Sequence, residues 1–174
     1  MIGLLDAAAA QDDALVARLA RLVNDVYTDA EDGLWREGAA RTQPTEIAEF
    51  IEAGQIAVAK AGGEVVGVVR IQTLSDTTAE FGMLAAEPEH RGIGVGRGLI
   101  EFAERHARDG GSRTMQLELL VPRRWRHPTK AFLDDWYRRI GYRVVRTTSL
   151  DDAYPELAPQ LATSCDFVIY EKPL

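Results

Sequence analysis

Between Ala79 and Ala107 the chain reads AEFGMLAAEPEHRGIGVGRGLIEFAERHA, and few folds can use such a stretch. Phe81 to Ala86 is mostly apolar and small and has the character of a strand. Glu87-Pro88-Glu89-His90 interrupts it, because Pro88 fixes φ and has no N–H to donate. Arg91-Gly92-Ile93-Gly94-Val95-Gly96 then runs straight into a helical pattern, in which Leu99, Phe102, Ala103 and His106 fall at i, i+3, i+4 and i+7. Gly110 or Gly111 is placed to cap that helix.

A strand feeding a glycine-rich turn and a helix N-terminus is a device for holding an anion. The first amides of a helix lack internal partners, and the aligned peptide dipoles add roughly half a positive charge there. Glycines let the backbone approach a phosphate with no Cβ in the way. Spacing then excludes two common anion loops. The dinucleotide fingerprint Gly-x-Gly-x-x-Gly fails in both registers, at Arg97 and at Leu99, and nothing supplies the Gly-Lys-Ser/Thr ending of a nucleotide-triphosphate loop.

The 174 residues suffice for a single domain, 1–174, with a sizeable core. A net charge of −7 removes the basic footprint that general nucleic-acid binding needs. The single cysteine, Cys165, excludes an internal disulfide and a cysteine metal cluster, and His90, His106 and His127 have no ligand spacing, so no metal is expected. The N-terminus lacks a basic region and Asp6 interrupts its apolar run, which argues against a signal peptide. No run approaches the roughly 20 apolar residues of a membrane span. The expectation is a cytoplasmic protein without a membrane partner.

In chain order, Ile2 to Leu5 reads as an edge strand. Asp12 or Asp13 caps a helix carrying Leu15, Leu19, Leu22, Val23 and Val26. Ala30 to Arg41 reads as a loop or broken helix, and Pro44 opens a second helix that ends at Gly54. Ile56 to Ala59 and Val65 to Ile71 are strands joined through Ala61-Gly62-Gly63, a hairpin signature. After the central strand and helix, Thr114 to Val121 reads as a largely buried strand whose odd-numbered residues face the core. Pro122 to Pro128 is a basic loop. Thr129 to Ile140 is a helix with the stripe Phe132, Leu133, Trp136 and Ile140, ended by Gly141. Tyr142 to Thr147 and Asp166 to Glu171 are strands, separated by a long, partly helical connection. The order β-α-α-β-β-β-α-β-α-β-β makes an α+β fold, a mixed layer of sheet and flanking helices.

The loop and this order resemble the GNAT superfamily of acyl-CoA-dependent N-acetyltransferases across essentially the whole chain. That family's loop motif, Arg/Gln-x-x-Gly-x-Gly/Ala, is met by Arg91, Gly94 and Gly96. The resemblance implies a mostly antiparallel sheet of about seven strands, splayed between the fourth and fifth, here about Ala79 to Glu87 and Thr114 to Val121. It implies acetyl-CoA as co-substrate. Met83, Leu84, Ala85 and Ala86 would pair with its pantetheine arm, and a strand amide would polarise the thioester carbonyl. Arg91, Gly92, Ile93, Gly94, Val95, Gly96 and Arg97 would hold its pyrophosphate.

A second motif lies at Trp136-Tyr137-Arg138-Arg139-Ile140-Gly141-Tyr142, where the family carries a tyrosine that protonates the departing thiolate; it maps to Tyr137. A phenol of pKa about 10 suits a thiolate of pKa about 8.5. Many members have an asparagine seven residues earlier; here it is Lys130, able to reach a phosphate as a point charge.

The acceptor amine must lose a proton before it attacks. Glu80 and Glu118, on the two implied strands, are candidate bases, with proton loss through a water chain as the alternative. Glu118 shares a strand face with Gln116 and Leu120, which looks either into the cleft or into solvent. Cys165 has no neighbouring histidine and reads as a small buried residue, so direct transfer is expected over a covalent route. The basic loop Arg123 to His127 either meets the 3′-phosphate of CoA or lines the acceptor channel, or is simply solvated. The acidic group Asp29, Glu31 and Asp32 points to a cationic acceptor or to a solvated loop, and Trp35, Trp125 and Tyr154 either wall a channel or pack. The acceptor is a small-molecule or peptide amine, and the resemblance allows a homodimer. A non-catalytic acyl-CoA-binding module is the alternative function.

Overall fold

The structure, a computed structural model, describes residues 1–90 and 92–174. Seven strands form one sheet with helices around it: β1 (Ile2–Leu4), β2 (Ile56–Ala61), β3 (Glu64–Thr73), β4 (Thr78–Ala86), β5 (Thr114–Pro122), β6 (Arg143–Ser149) and β7 (Cys165–Pro173), in the spatial order β1-β2-β3-β4-β5-β7-β6. The helices are α1 (Asp13–Ala30), α2 (Pro44–Glu52), α3 (Val95–Asp109), α4 (Pro128–Arg139) and the single turn α5 (Leu150–Ala153). Apart from α5 this is the order read from the sequence, and the fold is α+β with a mixed sheet. Contacts divide the chain into two compact units, one of residues 1–27, 40–115 and 174, the other of 28–39 and 116–173.

The first unit is a meander of antiparallel pairs, β1 with β2, β2 with β3 and β3 with β4. Gly62 and Gly63 both have positive φ (58° and 91°), which a tight two-residue hairpin turn between β2 and β3 requires. Asp12 caps α1, its Oδ1 accepting from the amides of Ala14 and Leu15 at 3.1 and 3.0 Å. The helices and strands share a core of Leu19, Val23, Ile47, Ile51, Val58 and Val68.

α3 buries Leu99 and Ala103 as expected, but its inward face is rotated away from His106. Leu99, Ile100, Ala103, Glu104 and Ala107 are buried, whereas His106 is exposed and Phe102 half-buried, their rings stacked with centroids 6.2 Å apart. The cause is close approach. A Cβ on Gly67 of β3 would lie 2.8 Å from Val95 Cγ1 and 3.0 Å from Leu99 Cδ1, and one on Gly98 would lie 2.9 Å from Ile2 Cδ1. Small residues therefore set which side of the helix meets the sheet. At its end Gly111 (φ 94°) serves as the left-handed cap, with Ser112 N donating to Ala107 O at 2.9 Å.

In the second unit β6 and β7 pair antiparallel. Leu34, Leu120, Leu150, Leu161, Cys165 and Phe167 form its core. Residues 31–41 form the expected loop, tied down where Trp35 bridges to Leu161 and Arg36 N donates to Gln160 O at 2.8 Å. Two expectations change here. β5 is buried on both faces, since Gln116 and Leu120 are as covered as Met115 and Leu117, while Val121 is only half-buried. The fully buried residues of α4 are Lys130 and Tyr137, and Phe132 is 59% exposed. An apolar stripe cannot foretell a helix whose inward face carries a charge.

Candidate active site

β4 is the element that most changes character along its length. Val68 of β3 pairs with Ala85 and Arg70 with Gly82, so Val69 faces two residues, Met83 and Leu84. This is a β-bulge, which interrupts the ladder and re-aims the strand. Met83 adopts φ 50°, the one positive value at a non-glycine among the described residues. A side chain in that region is strained, and such strain persists only where the surroundings impose it. Met83 and Ala85 are buried; Leu84 and Ala86 are half-buried.

Beyond β4 a 3₁₀ turn, Pro88–His90, leads to the glycine-rich loop. Arg91 lies outside the described residues. Gly92 and Gly94 have φ of 83° and 88°, and nothing lies within 4 Å of where a Cβ would sit on either. Ile93 is 70% exposed. Gly94 is the N-cap of α3, and its carbonyl accepts from Gly98 N at 2.8 Å. Val95, Gly96 and Arg97 thus form a first helical turn, where amides lack intrahelical acceptors. Gly92 and Gly94 turn the chain into α3 with left-handed backbone. Arg97 is exposed and paired with Glu101 at 2.9 Å. Glu80 ends a polar chain across the strands: Arg70 Nη2 donates to Gln72 Oε1 at 2.8 Å, and Gln72 Nε2 donates to Glu80 Oε1 at 2.7 Å.

In the second unit Tyr137 stands in the last turn of α4. Gly141 (φ 106°) closes the helix, with Gly141 N donating to Arg138 O at 3.2 Å and Tyr142 N to Tyr137 O at 3.0 Å. This double cap fixes the backbone that carries the tyrosine. The Tyr137 ring is buried among Trp136, Tyr142 and Tyr170, with centroids 5.3, 6.2 and 6.1 Å away. Tyr170 donates to Asp134 Oδ1, and burial together with that hydrogen bond pushes the Tyr170 phenol well above its usual range. Glu118 is half-buried on β5 and accepts from Tyr154 Oη at 3.1 Å.

Lys130 and Glu31 form a buried pair at 2.8 Å, each side chain 4% exposed. Glu31 accepts through its other oxygen from Trp35 Nε1 at 2.6 Å. His127, also buried, lies with Nε2 3.0 Å from the Asp32 carbonyl, and its Nδ1 has no partner among the described residues. A carbonyl only accepts, so that contact requires the Nε2–H form. Of the acidic trio noted in the sequence, Glu31 therefore serves inside the fold. Cys165 is fully buried and its Sγ donates to Thr163 O at 3.4 Å. Burial, and then the nearby charge of Glu31, push its thiol up to about 11.

Sequence reading did not find the pairing of Lys130 with Glu31, that of Glu118 with Tyr154, or the contact of Arg18 with Glu87 described below. The one available signal was the lysine standing where the family has an asparagine.

The profile of the acetyltransferase (GNAT) domain matches residues 52–144, more than half of the chain. The chain belongs to the GNAT acetyltransferase family, and is an acetyl-CoA-dependent N-acetyltransferase. Solved structures agree in fold. An IAA acetyltransferase from Bacillus cereus is 17% identical over 100% of this chain and 99% of its own, with a TM-score of 0.66. A ribosomal-protein-alanine N-acetyltransferase from Brucella melitensis is 18% identical over 100% and 99%, with a TM-score of 0.67. An aminoglycoside 6'-N-acetyltransferase complexed with coenzyme A is 14% identical over 99% and 96%, with a TM-score of 0.68. No curated protein matches the chain significantly. Among the described residues no helix is long and apolar enough to cross a membrane.

Proposed function

We propose that the protein moves the acetyl group of acetyl-CoA directly onto a primary amine of a small molecule or peptide. The observation that carries this reading is the bulge at Met83 and Leu84, followed by the positive-φ glycines at the start of α3. A bulge releases strand amides from the ladder, and a released amide aimed at the thioester oxygen stabilises the developing oxyanion. Residues Met83 to Ala86 receive the pantetheine arm, and the amides of Gly92 to Arg97 receive the pyrophosphate. Tyr137 gives its proton to the CoA thiolate. Glu80, Glu118 or a water chain takes the proton of the amine. The buried Cys165, with its raised pKa, favours direct attack over an acetyl-cysteine route.

The test is release of free CoA thiol when acetyl-CoA is incubated with separate aminoglycoside, polyamine, amino-acid and peptide N-terminus substrates. Saturable release with one class supports the reading. Tight binding of acetyl-CoA without release on any class would mark a binding module instead.

A further inference from the structure

One guanidinium from the second turn of α1, that of Arg18, reaches the start of the glycine-rich loop. Arg18 Nη2 donates to Val65 O on β3 at 2.6 Å and to Glu87 Oε1 at 2.6 Å. Glu87 is the first residue after β4, the point from which the loop departs. Its amide donates to Val66 O, and its carbonyl accepts from His90 N, both at 2.9 Å. Its second carboxylate oxygen lies 3.5 Å from His90 Nδ1. Glu87 is thus held from three sides: by β3 through its amide, by α1 through one carboxylate oxygen, and by the turn itself.

This cluster is poorly built for stability. Arg18 and Glu87 are 37% and 24% exposed, a setting in which ion pairs contribute little. Among the described residues Arg18 Nε and His90 Nδ1 are buried without hydrogen-bond partners, which costs stability. What the cluster does well is fix geometry, because a planar guanidinium bridging a carbonyl and a carboxylate has little freedom.

We propose that Arg18, acting through Glu87, is a positioning residue for the acyl-CoA loop. It holds the loop's point of departure so that the amides after Gly92 stand in their anion-binding arrangement before the ligand arrives. A preordered loop loses less entropy on binding. The inference rests on the reading that this loop receives the pyrophosphate of CoA.

The experiment is calorimetric titration of CoA into the wild type and into Arg18→Met, Glu87→Gln and the double variant, with steady-state kinetics and melting temperatures alongside. The wild type binds CoA. R18M weakens binding about tenfold, E87Q by less, and the double variant is no weaker than R18M, because the two residues act as one unit. The KM for acetyl-CoA rises while kcat at saturation stays within about twofold, and R18K recovers part of the affinity. Wild-type affinity in both single variants, or losses that simply add, would overturn the proposal. A fall in melting temperature and kcat with an unchanged dissociation constant would also overturn it. Should R18M not fold, E87Q, which keeps the side-chain shape, decides by the same criteria. Failure of the wild type to bind CoA would instead remove the loop reading itself.

Discussion

The glycine-rich loop after β4 and the charge cluster beneath α4 hold their polar groups in opposite ways. The loop relies on main-chain amides of neighbouring residues, two of them glycines with positive φ, on a largely exposed stretch. The cluster relies on side chains from distant segments, Glu31 and Lys130 being 99 residues apart, in a setting that is 4% exposed. A backbone site is built locally, tolerates solvent and costs the fold little. A buried side-chain network must be completed by the whole unit and leaves an uncompensated charge if one partner is lost. Changes in the loop should therefore alter ligand binding, and changes in the cluster should alter stability.

The largest effect expected is on stability. Lys130→Met leaves Glu31 buried without its cation and should cost about 3–5 kcal/mol in denaturant unfolding, while Glu31→Met with Lys130→Met should recover most of that loss. A cost below about 1 kcal/mol would mean that the pair is solvated and would break the contrast. Next is Tyr137→Phe. Removing the proposed general acid should lower kcat by about 100-fold or more with little change in the KM for acetyl-CoA. An unchanged kcat and pH–rate profile would remove Tyr137 from the chemistry.

Gly94→Ala is the loop's counterpart to Lys130→Met. No atom lies within 4 Å of the added Cβ, so the cost to folding is the left-handed backbone alone, about 1 kcal/mol. The Cβ would nevertheless face an approaching phosphate, and CoA affinity should fall about tenfold as read by calorimetry. An affinity change without a matching stability change sharpens the comparison; the reverse would undo it.

Cys165→Ser should have the smallest effect on catalysis, leaving kcat/KM within about twofold if no acetyl-cysteine forms. Burial pushes the folded thiol up to about 11, from 9.0 for a free thiol. The folded state therefore keeps the proton that the unfolded chain gives up. The stability this contributes is complete below pH 9 and is lost as the pH rises towards 11. Wild type should lose stability in that window more steeply than the serine variant. Native Cys165 should resist thiol labelling at pH 8 until the protein unfolds, and rapid labelling of the native protein would contradict its burial.

What was legible in the sequence follows the same division. The strand, turn, glycines and helix of the loop are consecutive, so spacing revealed them, and Gly141 marked the end of α4. The inward face of α3 was read correctly at Leu99 and Ala103 but missed at His106, because glycines at 67 and 98, not large apolar residues, decide how closely the helix approaches. The inward face of α4 was misjudged because its buried charge finds its partner in residues 28–39, and no periodic pattern records a contact across 99 residues. Arg18 was invisible for the same reason, since on sequence it is one more charge on the polar side of α1, and Glu87 lies 69 residues away.

The central claim is that the loop beginning at Arg91 and the bulged β4 receive acetyl-CoA. Thermal unfolding of the purified, ligand-stripped protein with increasing acetyl-CoA, CoA or ATP tests it most directly, because a ligand that binds only the folded state must stabilise it. A saturable rise in Tm with acetyl-CoA and CoA but not with ATP is predicted. No shift with either CoA species would contradict the account.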